Sequence, residues 1–131
     1  MQITLRLIDS IGAVKVLEHL KEINENESDL LKLERGVLNN FGIAMLDMQK
    51  EEIRSTERHL ALLCYTKFAK EEVKLENINI ATNLHKSIRT IDRYIANYKD
   101  YENNEIAIAK QFNLKYNQIF NKIKEDNNAI H

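Results

Sequence analysis

Two groups of side chains in this 131-residue chain carry the functional groups from which chemistry could be built. The first is Arg54-Ser55-Thr56-Glu57-Arg58-His59, in which four residues separate Arg54 from His59. A guanidinium and an imidazole at that spacing can stabilise negative charge and move a proton. The second runs from 87 to 122 and comprises Ser87, Arg89, Thr90 and Arg93, then Lys115, Tyr116, Asn117, Gln118, Asn121 and Lys122. Its cations, hydroxyls and amides suit hydrogen bonding to a polar partner. Metal chemistry has no support, because His19, His59, His85 and His131 are scattered. The single Cys64 sits in Leu62-Leu63-Cys64-Tyr65, where a thiol serves as a small core side chain and no disulfide framework is possible. Gly12, Gly36 and Gly42 are isolated, so no glycine-rich loop cradles a phosphate. No metal, no small-molecule cofactor and no enzymatic activity are therefore expected.

The elements that must position these groups follow from composition and pattern. The length suits one domain with a real core. Pro is absent and Gly occurs three times, so helices should be long and a disordered linker is not expected. No apolar run is long enough for a membrane span and no basic leader precedes a hydrophobic segment, which predicts a cytoplasmic protein without membrane contact. The net charge of -1 runs against the basic balance of many small nucleic-acid binders. Its distribution is more permissive, with 11 Lys and Arg against 14 Asp and Glu over residues 1–84, but 8 against 6 over 85–131.

Along the chain, Ile3, Leu5 and Leu7 alternate as in a short strand, but the apolar spacing from Ile8 to Ile23 is helical, and a helix is predicted over 9–23. Ser28 would cap a second helix through Leu38, ended by Asn39-Asn40-Phe41-Gly42. A third segment, Ile43 to about Arg54, is expected to bury Ile43, Leu46 and Ile53. After Ser55 a fourth helix should put Leu60, Leu63, Cys64 and Phe68 on one face and run to about Leu75. These segments predict an all-α, multi-helix bundle. Residues 1–72 would form an N-terminal helical region for dimerisation or support, and 73–131 a second region.

That second region repeats itself at an offset of 28 residues: Ile78 pairs with Ile106, Ile80 with Ile108, Ala81 with Ala109, Leu84 with Phe112, Ile91 with Ile119 and Ile95 with Ile123. A small residue (Ala81, Ala109) permits close helix crossing, and a large apolar one (Leu84, Phe112) closes the first helix. His85 or Asn113 tolerates positive φ in the turn. Leu114 supplies the apolar residue that follows, where Lys86 does not. Ser87 is placed to cap the next helix. Both segments resemble the helix-turn-helix motifs of bacterial and phage regulators, over about 50 residues of the chain, and the fold expected here is a C-terminal tandem of such units. Residues Ile11 to Leu20 also resemble the opening helix of winged-helix regulators.

The resemblance implies a sequence-specific binder of double-stranded DNA, a transcriptional regulator acting as a homodimer on a repeated site. A recognition helix would enter the major groove, with Arg89 reading guanine, Thr90 holding a phosphate or a thymine methyl, and Arg93 and Ser87 beside them. The second copy would offer Lys115, Tyr116, Asn117, Gln118, Asn121 and Lys122, rich in amides that pair with adenine. Because the helix from Ile88 to about Lys99 would serve both copies, one should read DNA and the other support it, with Arg89 and Arg93 favouring the first. Two alternatives stand beside this reading. One is a helical protein-interaction module of immunity, antitoxin or anti-defence type. The other rests on Arg54 and His59, whose spacing resembles that of HEPN endoribonucleases.

Overall fold

The computed structural model describes residues 29–50 and 55–129, and all regular structure within them is α-helical. Helix α1 covers 29–41, α2 Met45–Gln49, α3 Thr56–Glu71, α4 Asn77–Leu84, α5 Ile88–Glu102 and α6 Ala107–Ala129. The helix expected over 9–23, the strand-like Met1–Ile8, the cap Ser28, Ile53 and the winged-helix resemblance lie outside the described residues.

Local chemistry explains most boundaries. Gly42 adopts φ +71 and ends α1 where the Asn-Asn-Phe-Gly cluster predicts. Ser55 caps α3 by accepting the Arg58 N–H at 3.0 Å. The α2 segment differs from expectation. It is a short helix that buries Met48, while Leu46 is 72% exposed. Its last carbonyls are held by the buried Arg58, whose Nε donates to Asp47 O at 3.0 Å and whose Nη2 donates to Met48 O at 3.2 Å. A cation at a helix C-terminus meets both the orphan carbonyls and the negative end of the dipole.

Helix α3 is central. Leu60 to Tyr65, Thr66, Phe68 and Ala69 are all buried, so it is covered on every side rather than along one stripe. It packs against α2, α4, α5 and α6, and a single core runs from Leu33 to Ile123 across the expected 72/73 boundary. Lys67 leaves α3 into this core, pairing with Glu102 at 3.1 Å and facing the Tyr116 ring at 4.3 Å. Helix α1 lies antiparallel to α6: Lys32 donates to Asn127, Gly36 sits opposite Ile119, and Lys115 donates to Asn40 O. A Cβ on Gly36 would come 3.0 Å from Ile119 Cγ2, so the glycine sets this close approach.

The two copies of the repeat fold differently. In the first, α4 stops at His85, which takes φ 55 and ψ 46. The His85 and Lys86 N–H groups donate back to Thr82 O and Ala81 O, the bonding of a Schellman turn. Ser87 then caps α5 by accepting the Thr90 N–H at 3.1 Å. In the second, Asn113 is inside α6 and there is no turn. Ala109, Phe112, Tyr116, Ile119 and Ile123 form the buried stripe of one long helix, and Leu114 is 58% exposed. The expectation of a second helix-turn-helix is therefore corrected. The cause stands at one aligned position, where Lys115 replaces the capping Ser87 and cannot accept the free N–H of a new helix.

This contrast predicts opposite responses to glycine. His85→Gly should stabilise the protein by up to about 1 kcal/mol by relieving left-handed strain. Asn113→Gly should cost about 1–1.5 kcal/mol, from helix propensity and the bond that Asn113 Nδ2 donates to Tyr101 O at 3.0 Å. Urea denaturation of the two variants checks the sign, and equal shifts would contradict the continuous helix.

Candidate nucleic-acid interface

One helix–turn–helix, α4 with α5, is thus the unit on which a nucleic-acid surface can be built. Its inner side is apolar: Ile80, Ala81 and Leu84 of α4 and Ile91, Tyr94 and Tyr98 of α5 are buried. Ala81 lets the helices approach closely, as the small residue at that place requires. The unit is anchored from below. Gln49 Nε2 donates to Asn83 O at 2.8 Å, and Asn83 Nδ2 reaches Tyr65 OH at 3.4 Å. Burial pushes the Tyr65 phenol up to about 12, the Asn83 bond opposing part of the rise, so the hydroxyl stays protonated.

The outward side of α5 carries Arg89 and Arg93, four residues apart and both exposed. Neither forms an ion pair among the described residues. Ser87 is exposed and Thr90 half-exposed, with their hydroxyls 3.0 Å apart. Asp92, between the two arginines in sequence, accepts from Asn77 Nδ2 at 2.8 Å and ties α4 to α5. Four of the expected contact residues therefore share the first two turns of α5.

The remaining six lie on α6 and are not brought into that group by a second turn. Tyr116 is 5% exposed and belongs to the core, its ring stacked 6.1 Å from Phe112 and its phenol pushed well above the ordinary range, first by burial and then by Glu72 and Glu71. Its expected role at a DNA surface is corrected, since the period that put it beside Lys115 is the period of the buried stripe. Lys115 is half-buried and spends its ammonium on Asn40 O, over the Phe41 ring. Lys122 is exposed beside α1, pairing with Asp126 at 3.6 Å. Asn117, Gln118 and Asn121 are exposed on α6.

A juxtaposition that sequence spacing did not give joins the two halves of the chain. His59 of α3 and Arg93 of α5 line one cleft, together with Ser55, Arg58 and Asn97. His59 is half-buried, edge-on to Tyr101 with ring centroids 6.4 Å apart. Burial, and secondarily the Arg93 charge, hold its imidazole below the usual 6.5. Arg54, its partner in the endoribonuclease reading, lies outside the described residues. Because the folded state disfavours the imidazolium, the contribution of His59 to stability is complete above pH 6.5 and is lost as pH falls through the folded value. Thermal melts between pH 7.5 and 5 should show that loss, and His59→Gln should flatten it; an unchanged slope would contradict the assignment.

Among the described residues no group of three or more His, Cys, Asp or Glu side chains is placed to hold a metal. No helix among them is long and apolar enough to cross a membrane. No family model matches the chain, and neither a curated protein nor a solved structure is significantly similar to it.

Proposed function

We propose that this chain binds double-stranded DNA sequence-specifically, as a homodimeric transcription regulator, through α4, the His85 turn and α5. The observation that carries the reading is the combination of a left-handed His85 and a capping Ser87 with two exposed arginines, in no ion pair among the described residues, on the helix that follows. In this reading the first turns of α5 enter the major groove. The Arg89 fork bonds guanine O6 and N7, Arg93 holds a base or phosphate, and Ser87 and Thr90 lie against the backbone. Asn117, Gln118 and Asn121 flank the duplex at most, and the reading assigns no catalytic step. One helix reads too few bases for useful affinity, so two copies act on a repeated half-site.

Selection of bound fragments from random duplex DNA, followed by mobility shift across a salt series, tests this. The expected result is a repeated half-site with spacing of about one helical turn, roughly 10 base pairs, and affinity that falls steeply with salt. Absence of retention at low salt would remove the proposal. That outcome would favour a second reading, the protein-interaction module, which draws on the exposure of Leu31 and Leu38 one heptad apart on α1 and of Leu114 on α6.

A further inference from the structure

We propose that the cleft between the start of α3 and the middle of α5 is a binding site for a phosphate group, as a phosphate monoester. The cleft encloses about 350 Å³, and the described residues that line it include Arg58, His59 and Arg93 but no carboxylate. That sign is not inherited from composition, since acidic residues outnumber Lys and Arg by 20 to 19 in the chain as a whole. Arg58 is held in place by the α2 carbonyls and contributes a fixed positive charge. Arg93 forms no ion pair among the described residues. Ser55 begins the 16-residue α3, so the positive end of that helix dipole lies at the same wall. Asn97, one turn beyond Arg93, adds an amide donor. Like charges brought together in a concave site with no counter-charge among the described lining residues call for an anion, and the volume falls within the roughly 300–1,000 Å³ of small-ligand pockets.

Among the described residues, the charged groups that line the cleft with His59 are Arg58 on its own helix and Arg93 on α5. An occupying dianion would reverse the influence of Arg93 and favour the imidazolium, so His59 reports occupancy directly. The inference does not depend on DNA recognition, although Arg93 would belong to both surfaces.

Imidazole signals of the full chain, followed by NMR, provide the test. Inorganic phosphate, adenosine monophosphate and a short duplex are titrated separately, each against sodium chloride at matched ionic strength. Phosphate should move His59 saturably and raise its titration midpoint by about one unit. Arg93→Gln should weaken phosphate binding by about tenfold, while Lys99→Gln, an equal loss of charge elsewhere on α5, should leave it unchanged. Tighter binding of the nucleotide than of phosphate would identify a free small ligand as the source. Movement of His59 by the duplex, with none by phosphate or the nucleotide, would overturn the monoester site in favour of a phosphodiester backbone. No response beyond the chloride control, or equal effects of the two substitutions, would overturn the site.

Discussion

Replacing Arg89 and Arg93 together by Ala should lower affinity for the selected duplex by about a hundredfold, with no loss of folded protein. Each charge-assisted contact to a base or phosphate contributes about 1–3 kcal/mol, and a joint loss near 2.7 kcal/mol corresponds to that factor. Both side chains are exposed and outside any ion pair among the described residues, so the fold has little to lose. Arg89→Lys separates the two kinds of contact. A lysine keeps the charge but loses the planar fork, so base preference should relax while the salt dependence stays nearly the same. Fluorescence anisotropy with matched and scrambled duplexes measures both quantities. A double variant that binds like the parent would take α5 out of the interface.

Phe112→Ala should cost about 3–5 kcal/mol, whereas Leu114→Ala, two residues away, should change stability by no more than about 0.5 kcal/mol. Phe112 is fully buried, between Tyr101 at 5.9 Å and Tyr116 at 6.1 Å, with the Lys67 ammonium 5.8 Å from its ring. Its removal leaves a cavity that three other core groups cannot easily close. Leu114 is 58% exposed on a continuous helix. Under the arrangement read from the repeat, both would be inside, one closing a helix and one following the turn. Denaturation midpoints at unchanged denaturant dependence decide between the two, and comparable losses would restore the second turn.

The distance between sequence and structure is instructive at particular residues. The all-α architecture, the end of α1 at Gly42, the start of α3 after Ser55, the left-handed His85 and the Ser87 cap were all readable, because each rests on local chemistry within four residues. The repeat misled because an apolar spacing of three and four residues is common to a helix-turn-helix and to one amphipathic helix. What separates them is the cap, and Lys115 at the place of Ser87 carried that information. Tyr116 was misplaced for the same reason. The exposure of Leu46 follows from the shortness of α2, whose single turn can bury only one side. The meeting of His59 with Arg93 was not legible at all. It depends on how α3 and α5 cross, which no spacing along either helix records.

The centrality of α3 bears on how such a protein could be reshaped. Its walls include α5 and α6, whose buried residues belong to the same core. A break at 72/73 would strip both at once. The α4–α5 unit is therefore no portable cassette that can be cut out and grafted elsewhere, and its outer surface should change by exchange of single outward side chains rather than by transplanting the pair of helices.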